Sequence, residues 1–222
     1  MITKLILISY VFFAFALSGS RGHAQSQTFL SNLGETTSGY VSVGSNSLIS
    51  IPFLTGNDVR GYFLDSVQLS LNTPSGNPNT IFVSIHRGSR SEGPGILRGF
   101  LSGSNPSSAG VFSFAATNMS LSPLSIYWLQ VSSDTPVAMG SFSCNLTSSS
   151  NFESNEGWAL GIKYDLSTDG INWNVAANTP LKFAINASVV PEPSSLVLLG
   201  LGGSFLFTRL ARKPRSKALR RP

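Results

Sequence analysis

Residues 25 to 188 of this 222-residue sequence predict an all-β domain, an antiparallel β-sandwich of jelly-roll-like type. Three observations carry that expectation. Apolar residues alternate with polar ones in run after run, and a period of two turns one side of a strand toward a core. Clusters of Gly, Pro, Asn and Ser break the runs at intervals of roughly ten residues, a spacing typical of sandwiches. No stretch of the body shows the 3.6-residue apolar period of a packed helix.

The runs follow one another along the chain. Val67, Leu69 and Leu71 alternate with Ser66, Gln68 and Ser70. Ile81, Val83 and Ile85 come next, then Phe112, Phe114 and Ala116. Tyr127, Leu129 and Val131 form a fourth run, and Trp158, Leu160, Ile162 and Tyr164 a fifth. Leu181, Phe183, Ile185, Ala187 and Val189 close the body. Between them stand the breakers Thr73 to Pro78, Glu92 to Gly95, Gly103 to Gly110 and Ser148 to Asn155. Asp169-Gly170 reads as a tight hairpin turn between Lys163-Tyr164 and Ile171 to Trp173, since Gly supplies the positive φ such turns need.

The net charge of +5 is an average over unlike segments. Between Gln25 and Val190 six basic residues face nine acidic ones, which leaves the body at −3. Nucleic-acid binding needs a clustered basic surface, so it is excluded. Cys144 is the single cysteine, so no internal disulfide forms, and it reads as a small apolar strand residue.

The two ends carry the positive charge. Lys4 precedes an apolar stretch from Leu5 to Leu17, and Gly22-His23-Ala24 supplies small residues for cleavage after Ala24. Residues 1–24 therefore read as a signal peptide for signal peptidase, with a retained anchor as the alternative. Residues 189–222 hold Pro191-Glu192-Pro193, an apolar run from Leu196 to Phe207, and a tail with seven basic residues. Apolar segments followed by Lys and Arg stop in the membrane with the charges on the cytoplasmic side. Arg209, Arg212, Lys213 and Arg215 are the stop-transfer residues, and anionic membrane lipid is their partner. The twelve residues from Leu196 to Phe207 would cover about 18 Å as helix, short of the ~30 Å hydrocarbon layer. A transmembrane helix this weak suits a transient stop better than a permanent anchor.

The order of motif, apolar run and basic tail resembles the PEP-CTERM sorting signal of bacterial exported proteins. The resemblance implies a membrane processing enzyme, exosortase, as the partner that recognises Pro191, Glu192 and Pro193. It also implies passage through the inner membrane to the cell surface or extracellular matrix, in association with exopolysaccharide. The body, through Leu64 to Leu71, Gly93-Pro94-Gly95, Tyr127-Trp128-Leu129, Gly157-Trp158 and Thr168 to Trp173, resembles the choice-of-anchor extracellular domains. That family brings no established activity.

Chemistry is sparse. His86 is the only histidine after residue 24, and it reads as a polar residue on an outer sheet face. No Gly-x-Ser-x-Gly elbow is present, so a non-enzymatic protein is expected. Asp165 to Gly170 resembles half of a calcium loop, but Ala176 stands where its last carboxylate should be, so no metal or cofactor is expected. Glu153 and Glu156 fall in a polar loop that gives them no catalytic setting. The alternative function is a tethered carbohydrate-binding module or hydrolase. For it Trp128, placed on the face opposite Tyr127, is the exposed stacking candidate.

Overall fold

The computed structural model describes residues 25–191. Among the described residues there is no helix, and every paired strand is antiparallel. The signal peptide and the C-terminal apolar run both lie outside the described residues.

One sheet takes the order β10 (Glu153–Ser154), β1 (Gln27–Ser31), β14 (Phe183–Val189), β4 (Tyr62–Gly76), β9 (Gly140–Leu146) and β2 (Gly39–Val43). The long β4 carries β7 (Gly110–Leu121) on its other flank. The second sheet runs β13 (Asn174–Ala177), β12 (Tyr164–Ser167), β3 (Leu48–Leu54), β8 (Ile126–Ser133), β5 (Ile81–Ser89) and β6 (Gly93–Leu101). A two-residue strand, β11 (Ala159–Leu160), also pairs with β3.

The inward residues are those the period of two picks out. Val67, Leu69 and Leu71 from the first sheet share one core with Ile81, Val83, Ile85, Tyr127, Leu129 and Val131 from the second. Phe183, Ile185 and Ala187 join them, because β14 sits inside its sheet between β1 and β4. Burying a large apolar side chain contributes about 1.5–3 kcal/mol, so this shared core is what joins the sheets. Cys144 lies fully buried in β9, and burial pushes its thiol pKa up to about 12.

Three details differ from the sequence expectation. The run Trp158 to Tyr164 is not one strand: it breaks between β11 and β12, leaving Ile162 half exposed. Pro52 on β3 is the reason. Gly161 donates its N–H to Pro52 O at 2.8 Å, but proline has no N–H to return. The ladder fails there and resumes at Asp165, opposite Ser50. Second, β4 continues through Pro74 to Gly76, absorbing four of the six residues of the expected breaker, with a register shift between Asn72 and Ser75. Third, β12 and β13 do form a hairpin, but its loop spans residues 168–173 rather than two residues. The Asp169 carboxylate organises that loop. Its Oδ1 accepts the N–H groups of Ile171 and Asn172, each at 2.8 Å, and its Oδ2 accepts Asn172 Nδ2 at 2.7 Å.

Candidate functional site

The described chain leaves the body at one end of the sandwich, and that end is built around Tyr62. β14 pairs with β4 up to Val189 opposite Tyr62, and Val190 then donates its N–H to Gly61 O at 3.1 Å. Pro191 follows, exposed. β1 runs antiparallel to β14 with Gln27 opposite Ala187, so the described N-terminus lies at the same end.

Aromatic rings fill the interior behind this exit. Tyr62 meets Trp158 edge-on, with centroids 5.0 Å apart, and meets Phe29 the same way at 5.2 Å. Phe53 stacks on Trp158 at 6.0 Å and on Tyr127 at 5.9 Å. The Tyr62 hydroxyl accepts the Asp58 N–H at 3.1 Å and donates to Glu156 Oε2 at 3.4 Å. Burial raises the Tyr62 pKa, against a smaller lowering by the Asp58 N–H and by the nearby Trp158 indole. That indole N–H nevertheless forms no hydrogen bond of ordinary geometry.

Two loops flank the exit. In residues 55–61, Arg60 pairs with Asp58 at 2.6 Å, and the guanidinium hydrogen bond holds the Asp58 carboxyl down at about 2. Gly61 has φ +77°, and a Cβ there would come within 2.8 Å of Leu121 O, so only glycine fits. In residues 122–125, Ser122 N–H donates to the Tyr127 hydroxyl and Ser125 N–H to Thr55 Oγ1, each at 2.9 Å. Leu124 sits at φ +47°, with its N–H donating to Gly56 O at 2.9 Å.

The chain that departs from this exit decides what the exit serves. Residues 189–215 match the family model of the PEP-CTERM protein-sorting motif. They are a sorting signal. No curated protein and no solved structure matches the chain. The PEP-CTERM motif implies export, membrane anchoring, and processing by exosortase on the way to the cell surface. Of its residues the structure describes Val189, Val190 and Pro191. Glu192, Pro193, Arg209, Arg212, Lys213 and Arg215 lie outside the described residues. The fold therefore delivers the motif directly from a pinned strand, with no linker between the last ladder pair and Pro191.

The body's other candidates are scattered rather than assembled. Trp128 corrects the sequence reading: it does face away from the core cluster, but it is only 2% exposed. Its indole N–H donates to Ser89 O at 3.1 Å, and a Cβ on Gly88 would lie 3.0 Å from its ring. The β5–β6 hairpin thus covers it, and no ring face remains for a sugar.

His86 shows a pairing that sequence reasoning missed. Ser84 Oγ lies 3.1 Å from His86 Nε2, and His86 Nδ1 lies 3.3 Å from Gly95 O. A carbonyl only accepts, so Nδ1 carries the proton and Ser84 donates to Nε2. Residues two apart share a strand face, which is the signal that was available. The pair has the outline of a nucleophile and base, but Ser84 is 2% exposed and lies between β6 and β8 within the sheet. Burial lowers the His86 pKa.

Asp165 is nearly buried on β12, which raises its pKa, while Asp169 is held far below the carboxylate range by the Asn172 and Ile171 N–H groups. Glu153 and Glu156 are exposed. Among the described residues, no three His, Cys, Asp or Glu side chains converge as a metal site would require.

Proposed function

We propose that this chain is a non-enzymatic exported surface or extracellular-matrix protein, delivered by its PEP-CTERM motif and associated with exopolysaccharide. In this reading the body is a jelly-roll-like module of the choice-of-anchor type. Signal peptidase removes residues 1–24, and exosortase acts near Pro191-Glu192-Pro193. The match of residues 189–215 to the sorting motif is the observation that supports it most. The pinned exit at Gly61 agrees with it, because the body's own hydrogen bonding ends at Val190, just before the motif.

The mechanism assigned to the motif follows from its residue types. Pro191 and Pro193 fix φ, lack amide donors and hold the preceding residues extended, so Glu192 stays out of any adjoining helix. Glu192 then presents one carboxylate to the processing enzyme. In a host that supplies the matching exosortase, Glu192→Ala should be exported but should keep the unprocessed C-terminal mass. If intact-mass measurement shows the Ala variant maturing like the wild type, the motif is not the processing signal. Co-sedimentation of the mature protein with the producing cell's exopolysaccharide tests the matrix role separately, and its absence would count against that role alone.

A further inference from the structure

The exit pole has a length constraint that the sorting reading alone does not use. Leu196, the first residue of the apolar run, follows Val190 by six residues. Six residues reach at most roughly 20–22 Å at full extension. By comparison, the eight residues of β8 span roughly 26 Å at ~3.3 Å each. While the apolar run occupies the bilayer, the pole around Gly61 is therefore held close to the membrane, and the opposite pole is the distant one.

The side chains at this pole suit that position. Val59 is 90% exposed and Leu124 is 68% exposed. Their loops adjoin: Leu124 N–H donates to Gly56 O, and a Cβ on Gly61 would lie 3.7 Å from Pro123 Cδ. Leu124 holds its exposed place in a left-handed conformation that residues other than glycine rarely adopt. The Asp58–Arg60 pair leaves the 55–61 loop itself without net charge, and the exposed Glu156 lies beside it, its backbone O accepting the Asn57 N–H.

We propose that, in the anchored precursor, this pole rests on the outer surface of the lipid bilayer, with Val59 and Leu124 entering its headgroup layer. The proposal rests on the sorting reading, because the membrane-held apolar run supplies the tether. Single apolar side chains bind a bilayer weakly, and the short tether makes the contact intramolecular, which raises its effective concentration.

The test uses the full chain with one introduced cysteine at a time. Cys144 is fully buried, with a thiol pKa pushed up to about 12, so it does not compete for an environment-sensitive thiol dye on the folded protein. The labelled positions are Val59→Cys and Leu124→Cys, with Met139→Cys and Ile171→Cys as controls. Met139 and Ile171 are as exposed, at 74% and 80%, but belong to loops of the other pole. The chain is reconstituted into phosphatidylethanolamine–phosphatidylglycerol vesicles, and doxyl-labelled lipid is added as quencher. Labels at 59 and 124 should shift to the blue and lose fluorescence to the doxyl lipid, while those at 139 and 171 do neither. Equal quenching at all four positions, or none at 59 and 124 in chains that float with the vesicles, overturns the proposal alone. Quenching at 59 and 124 that appears only with added exosortase also overturns it, in favour of a protein contact. Chains that do not float with vesicles at all overturn the sorting reading and the proposal together.

Discussion

Around Tyr62 the sandwich closes on aromatic rings; around Thr135 it closes on hydrogen bonds. At the exit pole Phe29, Phe53, Tyr62, Tyr127 and Trp158 stack behind the loops. At the other pole, side chains cap backbone groups one at a time. Thr135 Oγ1 accepts Asn79 N–H at 3.0 Å, Asp134 Oδ1 accepts Thr80 N–H at 3.1 Å, and Asn46 Oδ1 accepts Val137 N–H at 3.0 Å. The difference teaches where rigidity is needed. Ring packing is cooperative and fills volume, so it fixes the point from which the sorting signal departs. Capping bonds are local, each satisfying one loop amide, and Thr135 and Asp134 are linked through their own side chains.

If that contrast is sound, the largest single loss should come from the rings. Trp158→Ala removes a 2%-exposed side chain that touches three aromatic partners. The expected cost is about 3–5 kcal/mol, the range for emptying a large aromatic site. Urea unfolding of the body measures it. A loss below that of a single capping residue would break the comparison.

Thr135→Ala tests the opposite pole. The hydroxyl lies in a residue 7% exposed, accepts Asn79 N–H and donates to Asp134 Oδ1 at 3.1 Å. Its removal should cost about 1–3 kcal/mol, the range for leaving a buried donor unpaired, and toward the lower end because Asn79 N–H is only partly buried. Combined with Trp158→Ala, the two losses should add, because the sites share no partner. Marked non-additivity would show that the poles are coupled.

These contrasts separate what the sequence made legible from what it did not. Strand identity was legible wherever one face alone is buried, as at Val67, Leu69 and Leu71, because period two then records the fold directly. The sorting signal was legible for a different reason: its motif is linear and needs no tertiary partner. Trp128 was misjudged because the group that covers it, Ser89, lies 39 residues away. The break between Trp158 and Tyr164 was hidden for the same reason, since its cause, Pro52, is on another strand. The ring cluster at the exit draws on β1, β3, β4 and β8, and no local pattern in any one of them announces it.

pH should sharpen the comparison next. His86 belongs to the exit half through its register with Trp128, the neighbour of Tyr127 in β8. Burial lowers its folded pKa below the unfolded value near 6.5, with the Gly95 carbonyl opposing. A base with a lowered folded pKa leaves stability fully present above the unfolded value. That stability falls as pH drops below 6.5 toward the folded pKa, because the unfolded chain then binds the extra proton. The other pole uses Asp134 and Asp169, whose pKa values are depressed by backbone N–H groups of Thr80 and of Asn172 and Ile171. Its contribution should hold until the pH falls through the carboxylate range. Hydrogen exchange at pH 5.5 against 7.5 should therefore loosen β5 and β6 before the Thr80 and Ile171 amides, and His86→Gln should remove that difference. Simultaneous loosening would assign the pH effect to the whole fold.

The smallest expected effect is a gain, at Leu124. Its left-handed backbone costs roughly 1–2 kcal/mol with a leucine, and glycine would remove that strain at an entropic cost of roughly 0.5–1 kcal/mol. Leu124→Gly should thus stabilise the soluble body by on the order of 0.5–1 kcal/mol, since the side chain is 68% exposed and leaves the ring cluster untouched. The sign carries the argument. A gain in solution means that the exposed leucine opposes folding, as a side chain held for the proposed bilayer contact would. The same variant should then lower the vesicle contact read at Val59→Cys. A loss of stability in solution would mean that Leu124 packs within the body, and its exposure would no longer support a membrane-facing role.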